Sequence, residues 1–147
     1  MTGRRGPRDE RGSLAVEMAI IIPSILLIFA LIFVYGRAAS VNGNLESATR
    51  DAARAATLAR SYDEARDRVD AVLAEGMSRA PASCRDSLTW ASEPDSFGPG
   101  DFEAGKPITV QATCTYSLGD IGLPGAPGNL RPESAFTSML DPYRGVD

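Results

Sequence analysis

The sequence predicts an α+β fold: an N-terminal transmembrane helix that continues into an external helical region, followed by a small antiparallel sheet. Three observations lead there. Residues 18–35 read MAIIIPSILLIFALIFVY, eighteen residues without a charge. Between Leu45 and Val69, apolar residues recur at spacings of three and four, the period of a helix with one buried face. Ile108, Val110, Ala112, Cys114, Tyr116 and Leu118 then alternate with Thr109, Gln111, Thr113, Thr115 and Ser117, the period of a half-buried strand.

The 147 residues leave room for one domain. There is no histidine, which removes the commonest general base, the Ser-His and Cys-His nucleophile pairs and any His-ligated metal site. Nineteen acids against fifteen basic residues give a net charge of -4, so nothing in the balance favours nucleic acid. The composition argues against an enzyme and implies no cofactor and no metal.

Extended back to Leu14, the apolar segment has 22 residues, and as a helix it would span roughly 33 Å, close to the hydrocarbon thickness of a bilayer. A buried core helix is usually shorter and carries a polar face. Arg4, Arg5, Arg8 and Arg11 precede the segment and orient it with the N-terminus cytoplasmic and the chain after about Ser40 outside, in or on a plasma membrane. A cleavable secretory signal is the rival, with Gly36-Arg37-Ala38 as its small-x-small site, but its apolar core would exceed the usual length. Pro23 lies inside the run and is expected to kink the helix.

Glu17 stands at the start of this run, where a carboxylate costs free energy unless a cation or polar cavity meets it. Cleavage between Gly12 and Ser13 would supply a cation, the new α-amine of Ser13, with Glu17 fifth in the shortened chain. A basic leader ending in Gly12, then Ser13, Val16, Glu17, apolar residues and Pro23 resembles the class III signal of type IV pilins. In detail it resembles the TadE-like proteins of tight-adherence (Tad/Flp) pilus systems. The Ala-rich stretch at residues 48–56 is similar to the helix that follows the membrane segment in that family, and residues 138–145 resemble TadE-like tails. The departure is Ser13, where ordinary type IV pilins have Phe or Met.

The resemblance implies a pilin-like minor subunit or assembly factor of a Tad/Flp pilus. Its partners would be the lipid bilayer, a prepilin peptidase, other pilin-like subunits and the Tad assembly machinery. Gly12 and Ser13 would form the processing site, and Glu17 would set register against a neighbour's amine. On that reading the chain divides into a basic leader (1–12), a transmembrane helix (13–38), an external amphipathic helical region (39–79) and a small disulfide-linked β-rich domain (80–147).

Within the external region, the pattern Ser61-Tyr62-Asp63-Glu64 has the form of a capping box. One helix is therefore expected to end near Ala59 and a second to cover residues 62–77, with Gly76 helping to end it. Glu46 with Arg50, Glu64 with Arg68 and Arg66 with Asp70 stand four apart and should pair on the outer face. The alanine stripe has two readings: packing against the external sheet, or close contact with neighbouring pilin helices.

Cys84 and Cys114 have 29 residues between them and no CxxC spacing, which disfavours a zinc or thioredoxin-type site. External placement favours a disulfide over two buried thiols. Cys84, Leu88 and Trp90 share one parity, so a strand is expected over this segment, with the bond joining it to the strand of Cys114 and Trp90 in the core. A third, shorter strand is expected at residues 134–140. Residues 93–105 read as an exposed hairpin loop, and the Gly/Pro-rich segment from Gly119 to Gly128 as a flexible one.

Two rivals share the sequence. One is an uncleaved single-pass anchor displaying an extracytoplasmic binding domain. The other is a secreted hydrolase using Asp101 and Glu103, which sit in a loop that argues for no pocket. Acid pairs such as Asp63 with Asp67 read as a solvated helix face.

Overall fold

The computed structural model describes residues 8–92, 98, 102–123 and 125–143. A single helix, α1 (Arg8–Thr57), runs through the apolar segment and on through the alanine-rich stretch. No residue between them breaks it, because Gly36 and Gly43 meet nothing within 4 Å and need no special backbone. Pro23 lies inside α1, where its missing N–H leaves the Ala19 carbonyl without its usual donor. One residue on, the Ser24 hydroxyl donates to the Ile20 carbonyl at 2.9 Å.

The second helix, α2 (Tyr62–Gly76), begins where the capping pattern predicts. Ser61 Oγ accepts from the Glu64 amide, while the Glu64 carboxylate reaches past Ser61 to the Arg60 amide at 2.8 Å. A short helix, α3 (Ala82–Asp86), follows. Strands β1 (Thr89–Ser92), β2 (Pro107–Thr113) and β5 (Glu133–Met139) form an antiparallel sheet in the order β1-β2-β5. A two-residue pair, β3 (Tyr116–Ser117) with β4 (Asn129–Leu130), stands apart, joined by a short 3-10 helix at Gly119–Ile121.

The core lies where the C-terminal half of α1 meets α2 and the sheet. Val41, Leu45, Ala48, Ala52 and Ala56 of α1 are buried, as are Ala65, Val69 and Leu73 of α2 and Ile108, Val110 and Ala112 of β2. The alanine stripe is thus filled by the chain's own elements, the first of its two readings. Small side chains let helices approach: an added Cβ on Gly76 would stand 2.5 Å from the Ala48 Cβ. Gly76 has no positive φ, so its role is this contact rather than the helix termination expected of it. Arg50 caps the sheet edge, its guanidinium 5.4 Å from the Phe136 ring centre while it pairs with Glu46 at 3.0 Å.

Three further expectations need correction. Cys84 lies on α3 rather than on a strand, and β1 starts only at Thr89. The long strand from Ile108 to Leu118 divides at Cys114–Thr115, although the buried alternation continues through Tyr116. The division has a local cause: the Cys114 amide turns to the Pro132 carbonyl, and the Thr115 amide donates to Ser87 Oγ at 2.9 Å. The Cys114 bond takes the next rung of the ladder with β5, but Pro132 has no N–H to return it, and with the Thr115 amide held by Ser87 the regular pairing ends at Thr113 with Glu133. Finally, no ion pair joins Arg66 to Asp70 among the described residues; Asp70 accepts instead from the Trp90 indole at 2.5 Å.

Candidate functional site

The residues singled out by the sequence lie at two ends of the molecule. Gly12 and Ser13 fall near the start of α1, within its helical backbone. Glu17 is exposed on the same helix, and no described residue pairs with it. From Ala15 to Phe33 every residue of α1 is exposed, including Phe29 at 65% and Ile32 at 63%. This is the one helix among the described residues that is long and apolar enough to cross a membrane. Its most apolar stretch has a mean hydropathy of 2.8 and is only 6% buried. A soluble core helix would have that surface covered.

The first residue of α1 to pack against the core is Val34, half-buried, followed by Ala38. The head therefore begins at the end of the apolar run. The turn after Ile121 meets the helix there: Gly122 takes φ +119° and approaches Phe33 so closely that a Cβ would lie 3.0 Å from the ring. Ile121 is buried, so the Gly/Pro-rich segment is anchored at this point, which loop composition alone hides.

In the head, Cys84 and Cys114 are joined by a disulfide and both are buried. The bond ties α3 to the end of β2. Asp120 makes a second tie from the 3-10 helix to α3, accepting from Ser83 Oγ at 2.6 Å and from the Ser117 amide at 2.9 Å. The Ser83 hydrogen bond is the main cause that holds the Asp120 carboxyl below its ordinary value, with the Ser117 bonds adding to it. Burial pushes the Tyr116 hydroxyl up.

The Asp120 tie carries a pH prediction. A carboxyl with a lowered folded pKa adds stability that is present above its unfolded value of 3.8 and lost as pH falls through the folded value. Carboxyl NMR should place its midpoint below 3.8. Asp120→Asn should flatten the acid limb of unfolding curves only below about pH 4. A midpoint at the ordinary value would show that the Ser83 contact is not held in solution.

Of the hydrolase pair, Glu103 is engaged with Lys106 at 3.1 Å, and Asp101 lies outside the described residues, as does most of the loop at 93–105. Trp90 is half-buried against the core rather than enclosed by it. Asp63 and Asp67 are both exposed on α2.

Residues 12–54 match the family model described as TadE-like protein. The match begins at Gly12 and ends within the last turn of α1, so it rests on the long helix and leaves α2, α3 and the strands outside it. No curated protein and no solved structure matches the chain.

Proposed function

We propose that this chain, TadE-like over residues 12–54, is a non-catalytic minor pilin or assembly factor of a Tad/Flp-type pilus, processed by a prepilin peptidase between Gly12 and Ser13. The observation that carries the reading is an exposed Glu17, paired with none of the described residues, at the start of an exposed apolar helix and inside the matched residues. In a bilayer such a carboxylate calls for a cation from another molecule. A neighbouring subunit's Ser13 amine supplies one once the leader, residues 1–12, is removed. The attraction then rewards a single axial offset between subunits.

The remaining organisation follows the same reading. Four arginines keep the leader on the cytoplasmic face of the plasma membrane. Residues 13–38 cross the membrane, 39–79 form the external helical region and 80–147 the disulfide-linked β-rich domain. The Cys84–Cys114 bond supports placement of the head in an oxidising compartment. The unbroken helix through Gly36-Arg37-Ala38, with Ala38 packed on the core, supports retention of the span rather than its removal as a secretory signal.

The test has two readouts. N-terminal sequencing of the membrane-bound protein from cells containing the peptidase should begin at Ser13. A chain beginning at Met1 would make it the uncleaved anchor, and one beginning near Ala39 a secreted protein. Glu17→Gln should be processed and inserted like wild type yet lose most piliation. Wild-type piliation by the processed variant would remove Glu17 from assembly.

A further inference from the structure

Between α1 and the head is a groove of about 470 Å³, open along one side of the helix, within the range of ligand-binding clefts. Leu31, Val34 and Tyr35 form its lower helix wall, and Leu118, Ile121 and Leu130 face them from the head. Asn42 and Arg131 line the same groove. Asn42 lies eleven residues beyond Leu31, roughly 16 Å further along the helix axis. The lining thus passes from apolar to polar along α1, away from the apolar run.

We propose that this groove holds one phospholipid of the head-side leaflet, an acyl chain against Leu31 and Tyr35 and the phosphate at Arg131. The inference rests on the membrane-spanning reading of α1 given above. Three observations name the occupant. The exposed stretch from Ala15 to Phe33 measures about 28 Å as a helix, the thickness of the hydrocarbon core. The head therefore sits directly on the membrane, without a stalk, and its groove opens at the level of the lipid headgroups. Next, the groove continues the lipid-facing surface: Leu31 and Tyr35, its lower wall, are 57% and 79% exposed and belong to the apolar run. Finally, the polarity matches an amphipathic ligand. Arg131 donates through Nε to Thr113 Oγ1 at 3.3 Å, and no carboxylate among the described residues pairs with it, which leaves the outer guanidinium nitrogens for a phosphate.

The test uses the full chain in vesicles of phosphatidylcholine and phosphatidylglycerol brominated on the upper acyl chain. Trp90 is the sole tryptophan, so Trp90→Phe gives a dark background for single reporters. Leu130→Trp in the groove should be quenched about as strongly as Phe29→Trp in the span, and several-fold more than Leu58→Trp at the far end of α1. If Phe29→Trp is quenched and Leu130→Trp only as little as Leu58→Trp, the lipid assignment is wrong while the span stands. If Phe29→Trp itself escapes quenching, the membrane-spanning reading fails first. Quenching of Leu130→Trp that appears only on diluting the protein in lipid would give the groove to a second copy's helix and overturn the proposal. A check independent of the reporters is mass spectrometry of the chain extracted in mild detergent. Wild type should retain phospholipid and Arg131→Gln several-fold less; equal retention would overturn the phosphate contact.

Discussion

Replacing Cys84 and Cys114 together with serine is expected to cost the head about 3–4 kcal/mol, the chain-entropy value for closing a loop of this size. The bond spans a sequence separation of 30 and both sulfurs lie in the core, so the loss adds two polar hydroxyls to an apolar site. The elements it joins have few other ties: α3 is five residues long and lacks a side-chain N-cap. Besides the disulfide, Ser87 Oγ at Thr115 and Ser83 Oγ at Asp120 bridge the gap. Urea unfolding of the full chain in detergent, followed by Trp90 fluorescence, would measure the effect, because Trp90 on β1 is bonded to Asp70 on α2. The double serine variant and the reduced wild type should unfold at a similarly lowered midpoint. An unchanged midpoint in both would mean that packing alone holds α3 in place.

Gly76→Ala should destabilise the same unfolding transition by about 1–3 kcal/mol, the usual cost of overpacking. Helix propensity alone predicts the opposite, a gain of about 1 kcal/mol, since alanine is the better helix former. Sterics decide the sign here. The new methyl would stand 2.5 Å from the Ala48 Cβ and 3.3 Å from its Cα, atoms fixed to the α1 backbone that no rotamer change can move. Helix α2 must therefore shift away from α1, opening contacts around Val69 and Leu73. Ala48→Gly in the same chain removes the clash and should restore most of the loss, less the cost of glycine within α1. A double variant as unstable as the sum of its singles would place the strain elsewhere.

The Cys84–Cys114 bond was legible in the sequence, whereas the helix that carries Cys84 and the contact made by Gly76 were not. Gly76 looks like a helix terminator from its position near the end of an amphipathic stretch, and the actual ending at Met77 needs no glycine conformation. Cys84 shares parity with Leu88 and Trp90, yet parity cannot distinguish a strand from a five-residue helix followed by one. The buried alternation from Ile108 to Tyr116 is correct while the strand itself divides, because alternation reports which side chains face the core and not which amides find a partner in the ladder. The flexible reading of the Gly/Pro-rich segment overlooked Ile121, a bulky apolar residue among its glycines and prolines that is buried and anchors it.

By itself the sequence determined the features set by the chain's own periodicity and solvent preference. These are an uncharged run of bilayer length, a helical stripe from Leu45 to Val69, a capped start at Ser61 and the inward face of β2. Each depends on residues within a few positions of one another, and burial of apolar surface against water or lipid imposes the period directly. The tertiary structure alone decided that the alanines of α1 are covered by the chain's own α2 and sheet. It also decided that Ser87 takes the amide a strand partner would have held, and that the head meets the helix at Phe33 and encloses a groove there. Those outcomes depend on which distant groups come within a few ångströms, and the energies of hydrogen bonding and close packing select them only after the elements meet.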